Sequence, residues 1–110
     1  MSGIGMMRHR IVLQERISVP DGTGGFAGGW RDMESEPEVF AAVTALSAPE
    51  RLRFRQLQPG ATHRMLIRHR GDVAPGMRLL KDGRAYNILS VTDHDGRGVI
   101  LELLAEETAA

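Results

Sequence analysis

Met77-Arg78-Leu79-Leu80-Lys81-Asp82-Gly83-Arg84-Ala85-Tyr86-Asn87-Ile88-Leu89-Ser90-Val91 decides the fold class. Asp82-Gly83 stands between two apolar runs. A tight type I′ turn needs positive φ at both central positions, which Asp-Gly tolerates well, so the stretch reads as a β-hairpin. Asp95-Gly96-Arg97-Gly98 then separates it from Val99-Ile100-Leu101-Glu102-Leu103-Leu104, a further strand. Three strands joined by short turns form a meander, whose apolar face needs a second layer or closure to be buried.

The preceding sequence supplies that closure. Arg8 to Val19 reads as a strand, with Ile11, Leu13, Ile17 and Val19 on one face and Arg10, Gln14, Arg16 and Ser18 on the other. Pro20 to Gly29 carries five glycines and a proline, which argues against a regular element and for a long mobile hairpin arm. Trp30 is expected as a core anchor rather than a ligand platform. Met33 to Glu38 is polar and acidic and is expected at the surface. Val39 to Leu46 reads as a strand packed closely on both faces, since its residues are mostly small. Ser47-Ala48-Pro49-Glu50 has the form of a capping box, with proline in the first turn where its missing N–H costs little. It predicts a helix over about Ala48 to Leu57 with a loose apolar stripe of Leu52, Phe54 and Leu57. The period-2 alternation of Arg51-Leu52-Arg53-Phe54-Arg55 is the competing, extended reading. Ala61 to His69 is a further strand, and Arg70 to Gly76 a turn. The expectation is a mainly β chain of 110 residues: a single domain, 1–110, holding a small β-barrel of six or seven antiparallel strands, one short helix and a long glycine-rich loop, with 1–7 and 106–110 frayed.

Composition excludes several functions. Fourteen basic and fourteen acidic residues give zero net charge, so no partner follows from whole-chain charge. There is no cysteine, hence no disulfide framework, thiolate chemistry or Cys-based zinc site. No stretch has membrane-spanning length or a signal-peptide pattern, so a cytoplasm, or an assembly built there, is the expected location. Thirteen of the fourteen basic residues are arginine, which codon bias in a GC-rich genome accounts for without any nucleic acid.

No catalytic constellation is visible. The histidines (His9, His63, His69, His94) do not fall at H-x-x-x-H spacing. Asp93-His94-Asp95 sits beside a turn, where Asp is common for turn reasons, and on a continued strand His94 would point away from both aspartates. Gly22-Thr23-Gly24-Gly25 lacks the Lys-Ser/Thr and helix of a phosphate loop. The clearest local feature is basic: Arg51, Arg53, Arg55, Arg64, Arg68 and Arg70 lie between Glu50 and Asp72 with no acidic residue among them. In a single copy this reads as a solvated face balanced by Glu34, Glu36 and Glu38 on the same or a neighbouring subunit. In a ring it would line a channel and contact phosphate without reading sequence.

Taken in order, Gln14-Glu15-Arg16, Pro20-Asp-Gly-Thr-Gly-Gly25 before Trp30, Ala41-Ala42-Val43 leading to Ser47-Ala-Pro-Glu50, His63-Arg-Met-Leu-Ile-Arg-His69, Gly83-Arg84-Ala-Tyr86-Asn-Ile88 and Val91-Thr-Asp93 resemble the head–tail joining proteins of long-tailed bacteriophages. These are the head-completion or stopper proteins, found also in prophages and gene transfer agents. The resemblance covers nearly the whole chain and rests on order and spacing. It implies a non-enzymatic structural protein that needs no cofactor and no membrane. Its copies would form a homo-oligomeric ring beneath the portal and adaptor, close the head over packaged double-stranded DNA and offer a surface to tail proteins. The location implied is the head–tail connector of a phage or phage-like particle. On this chain, DNA-channel contact is expected at Arg51, Arg53, Arg55, Arg64 and Arg68, and subunit or adaptor contact at Asp21, Gly22, Gly24, Gly25 and Phe26. The alternative is a small β-barrel that binds nucleic acid, which would need aromatic side chains exposed among the arginines.

Overall fold

The structure, a computed structural model, describes residues 7–20 and 22–108. Its elements run β1 (His9–Pro20), β2 (Phe26–Asp32), β3 (Glu38–Ala45), α1 (Ala48–Phe54), β4 (His63–Arg68), β5 (Arg78–Lys81), β6 (Arg84–Asp93) and β7 (Ile100–Thr108). All pairings are antiparallel, in the order β2-β1-β3-β4-β7-β6-β5, and β5 returns to β1 through Val12↔Leu80, Leu13↔Leu79 and Gln14↔Arg78. The result is the expected barrel: six strands close and β2 is an extra one. Closure removes the sheet edges that a seven-strand open sheet would expose.

The Asp82-Gly83 turn forms as its residues require, with φ of 53° and 78°, and carries β5 into β6 from Lys81↔Arg84 onward. Along β6 the inward face is Tyr86 and Ile88, then Val91. The change of parity comes from a bulge: Ile88 faces Ala105 and Ser90 faces Leu104, so Leu89 has no partner and turns outward. The interior holds Ile11, Leu13, Ala41, Met65, Ile67, Leu79, Tyr86, Ile88, Leu101, Leu103 and Ala105. A smaller cluster of Leu46, Ala61 and Leu104, joined by Phe54 and Leu89, sits outside the wall and seats the helix.

β1 explains most of the architecture because it serves two structures. His9 to Val12 pairs with β3, and Val12 to Gln14 pairs with β5, inside the barrel. Gln14 is shared between β5 and β2, and Glu15 to Pro20 pairs only with β2, as a two-stranded arm. Ile11 and Leu13 are therefore fully buried, whereas Ile17, expected on the same buried face, is only half-buried. The arm is more regular than its composition suggests: Phe26 to Gly29, expected as loop, belong to β2, because the β1 ladder holds Gly28 opposite Ser18 and Gly29 opposite Ile17.

Three further expectations are corrected. Trp30 is not a core anchor. It sits on the arm, half-buried, outside both apolar clusters. Met33 is not at the surface. Its N–H donates to the Leu13 carbonyl at 3.1 Å while the Leu13 N–H donates to the Pro37 carbonyl at 2.8 Å. These bonds draw the link between β2 and β3 back across β1 and push Met33 into the core. The C-terminal stretch is not frayed over 106–108. β7 continues to Thr108, with Glu106 opposite Asn87 and Glu107 opposite Tyr86, and the Thr62 hydroxyl accepts the Glu107 N–H at 2.9 Å. Residues 1–6 and 109–110 lie outside the described residues.

Candidate functional site

Three surfaces carry chemistry, and the first is the helix. The capping box forms in full: the Ser47 hydroxyl accepts the Glu50 N–H at 3.3 Å, and the Glu50 carboxylate accepts the Ser47 N–H at 3.1 Å. The extended reading of this segment is thereby overturned. α1 ends at Phe54, earlier than Leu57, and the chain continues in turns with the Leu57 and Gln58 N–H groups both donating to the Phe54 carbonyl. The bonds from Ser47, backbone first, and the nearby Arg64 hold the Glu50 carboxyl below the usual carboxylate range. Arg64 reaches Glu50 at 3.0 Å and ties the helix to β4.

No helical residue is buried. The expected apolar stripe divides: Phe54 packs into the outer cluster, while Leu52 is 65% and Leu57 75% exposed. Residues 51 and 55 are one helical turn apart, whereas 53 is about 200° round from 51. Arg51 and Arg55 accordingly line a shallow groove with Leu46, Ala48, Leu52 and Pro59, and the Arg53 guanidinium lies 5.4 Å from the Phe54 ring centre instead. Among the described residues Arg51, Arg53 and Arg55 make no ion pair.

The arginines grouped in the sequence are not one patch. Arg68 stands at the opposite end of β4 from the helix, paired with Ile100, where it lines a cleft of about 430 Å³ with Met7, Glu36, Val39, Phe40, His69 and Arg70. Arg70 is a structural cation. It grips the Asp72 carboxylate with two bonds, 2.6 and 2.9 Å, and donates to the carbonyls of Ser35 at 2.7 Å and Glu36 at 2.6 Å. The bond to Arg70 holds the Asp72 carboxyl below its ordinary value and raises Arg70. Glu36, with φ of 46°, is fixed in the left-handed region by this clamp.

The arm is the second surface. On one face Arg16 is paired across the ladder with Trp30, and the guanidinium groups of Arg16 and Arg78 lie 4.9 and 4.6 Å from the Trp30 ring centre. Arg78 donates to the Gln14 side chain at 2.7 Å and Gln14 to Asp32 at 2.8 Å, which joins the base of the arm to the barrel wall. On the other face Glu15 and Arg31 are ion-paired at 2.7 Å, and the bond raises Arg31. At the tip, Gly22 and Gly24 have φ of 84° and 89°, and open space surrounds the position of a Cβ on either. Gly25 precedes β2 and Phe26 begins it, opposite Pro20; Asp21 lies outside the described residues. Trp30 was expected in the core because its actual neighbours, Arg16 and Arg78, depend on the register of a hairpin whose loop length is not set by composition.

The third surface surrounds Phe40, 53% exposed on β3, with the Arg10 guanidinium 5.5 Å from its ring centre. It too was missed: β3 alternates small residues, and only the barrel's curvature decides which side is outside.

The dense polar cluster does turn chemistry. Asp93 accepts the Gly98 N–H at 2.8 Å, and His94 stands 3.9 Å from Asp95. Among the described residues no three His, Cys, Asp or Glu side chains converge on a metal position. No helix of the described residues is long and apolar enough to cross a membrane.

Comparison with known proteins agrees with this architecture. The family model described as phage head completion protein matches residues 3–108. That family is structural and not enzymatic, and its place is the phage or phage-like particle. A protein of Shigella flexneri 2a, known from its solution structure, superposes with a TM-score of 0.75 at 28% identity over 98% of both chains. A chain in the virion of a native gene transfer agent particle superposes with a TM-score of 0.63 at 30% identity, over 94% of this chain and 96% of that one. No curated protein matches the sequence.

Proposed function

The chain belongs to the phage head completion protein family, and from this we propose that its copies form a ring at the head–tail junction, close the DNA-filled head and present the surface to which the tail attaches. The observation that carries the reading is the likeness, over nearly the full length of both chains, to a component of a gene transfer agent virion. The geometry suits the task. A stopper needs a rigid body with projections, and the closed barrel bears an arm and an exposed helix. Its partners are a portal or adaptor ring, tail proteins and the packaged double-stranded DNA. The glycine tip, Gly22 to Gly25 with Asp21 and Phe26, is the segment for adaptor or neighbour contact, since backbone without side chains can lie close to another surface.

Of the arginines expected in the channel, Arg53 is the one best suited to phosphate. It is exposed, makes no ion pair among the described residues and does not line the groove. A ring repeats such a charge once per copy, and a repeated cation holds DNA without reading its sequence. Arg64 is engaged by Glu50, and Arg68 lies at the far end of β4. The alternative, an autonomous nucleic-acid-binding barrel, finds no stacking platform here, because Phe54, the aromatic among the helix arginines, packs against Leu46, Ala61 and Leu104.

The test is to make particles without this protein. Filled heads that lose their DNA and carry no tails are expected. DNA-tight, tailed particles would refute the proposal.

A further inference from the structure

Closing the barrel leaves open strand edges in one place, the arm. β3, β4, β5, β6 and β7 each pair on both sides. Past Gln14 that rule ends. Glu15 to Pro20 pairs with β2 alone, and Phe26 to Asp32 pairs with β1 alone. Among the described residues no further backbone bond is made by either stretch. The arm is therefore a ribbon with one open edge on β1 and one of nearly equal length on β2. Unpaired N–H and C=O groups along an edge are a template for another strand, and a two-stranded ribbon alone is marginally stable in water. The charges of the arm, Glu15, Arg16, Arg31 and Asp32, stand near its base. Ile17 to Pro20 and Phe26 to Trp30 carry no charge that would guard their edges.

Direction and charge say which strand fits. Copies related by rotation about one axis hold their ribbons the same way up. β1 of one copy then runs antiparallel to β2 of its neighbour, as it does to its own β2. With the ribbons side by side and without offset, Glu15 comes level with Arg31 of the next copy. That rung, ion-paired at 2.7 Å within a copy, recurs between copies, and so does Arg16 beside Trp30. Cross-strand pairs of opposite charge stabilise a ladder and like charges oppose it, and no rung of this register sets like charges together. Each copy uses its β1 edge on one neighbour and its β2 edge on the other. Contacts between unlike edges propagate, and a closed ring leaves none open.

We infer that the arms of adjacent copies pair edge to edge, Glu15–Pro20 of one copy with Phe26–Asp32 of the next, as a continuous antiparallel band. This rests on the ring proposed above and names a contact that holds its copies together.

The experiment uses the full chain in particles. One population carries Ser18→Cys and a second carries Gly28→Cys, and the two are co-expressed in equal amounts; the natural chain has no cysteine to confuse the result. Ser18 is exposed, and open space surrounds the position of a Cβ on Gly28. Adjacent strands lie about 4.8 Å apart, within reach of a disulfide, whereas two β1 strands with a β2 between them lie about 10 Å apart, beyond it. Oxidation should therefore give covalent dimers from mixed particles and none from either variant alone. Random order around the ring places up to about half of the chains in dimers. Ile17→Cys with Gly29→Cys is the second pair, because alternate rungs of an antiparallel ladder differ in spacing. The mass of connectors released from the same particles reports the ring independently. A closed multiple of the chain with no dimers from either pair overturns the arm contact and leaves the ring standing. Neither dimers nor a closed multiple overturns both. Dimers as abundant from unmixed as from mixed particles would also overturn the pairing, since they would set like strands side by side.

Discussion

Replacing Arg70 with alanine tests how the barrel holds the link that carries Met33 inward. The substitution removes four bonds: two to Asp72 and one to each carbonyl of Ser35 and Glu36. Bonds involving a charged group contribute about 1.5–3 kcal/mol each when shielded. Here the acceptors are on exposed residues, so water replaces most of that, and a net of about 0.5 kcal/mol per bond is the better figure. The sum is a loss of about 2 kcal/mol. For a chain of this size that lowers Tm by about 10 °C. Arg70→Lys should recover less than half, because an ammonium cannot grip a carboxylate with two parallel bonds. The pH dependence has a definite sign. Asp72 is held below its ordinary value by Arg70, so its contribution is complete above the unfolded carboxylate range and fades as pH falls through the folded value. Urea unfolding of natural and Arg70→Ala protein, at neutral and acid pH, measures both effects. The gap between the two curves should narrow in acid, as the Asp72 bonds weaken while those to the Ser35 and Glu36 carbonyls persist. A loss under about 0.5 kcal/mol at neutral pH, or a gap that does not narrow in acid, would refute the clamp.

Other predictions follow from single features. Leu103→Ala, fully buried on β7, should cost about 3 kcal/mol in urea unfolding through a cavity the surrounding strands cannot fill. Gly83→Val places a β-branched residue at a φ of 78° and should cost about 2 kcal/mol, seen as faster amide exchange along β5 and the start of β6. Ser47→Ala removes the acceptor of the Glu50 N–H and should lower stability by about 1 kcal/mol, with reduced helical ellipticity. Arg53→Glu should leave Tm and ring incorporation unchanged while particles lose DNA during storage at low salt; equal DNA retention would remove Arg53 from the channel.

Local chemistry made much of the fold legible. Asp82-Gly83 and Ser47-Ala-Pro-Glu50 each need only a few neighbours to state what they do, and both formed as written. Properties that depend on distant partners were not legible. Met33 is buried because Leu13 bonds to both ends of the link around it, a fact no window around Met33 contains. Leu89 turns outward through a bulge that the alternation of β6 does not announce. Trp30 looked like core because tryptophan usually is, yet Arg16 and Arg78 occupy its ring on an arm. The arginine cluster was real in sequence and divided in space. Glu50 takes Arg64, Asp72 takes Arg70, and the length of β4 separates Arg68 from the helix. The family resemblance succeeded where single residues failed, since the order of turns and strands is set by the whole chain.

Ring formation on a template is the claim on which the rest depends, and the most direct measurement is the mass of the purified protein by sedimentation, alone and mixed with the adaptor ring of its particle. The account predicts a species that becomes a closed multiple of the chain on the adaptor. A protein that stays monomeric beside the adaptor, and instead binds free single-stranded DNA with a steep salt dependence, would contradict it.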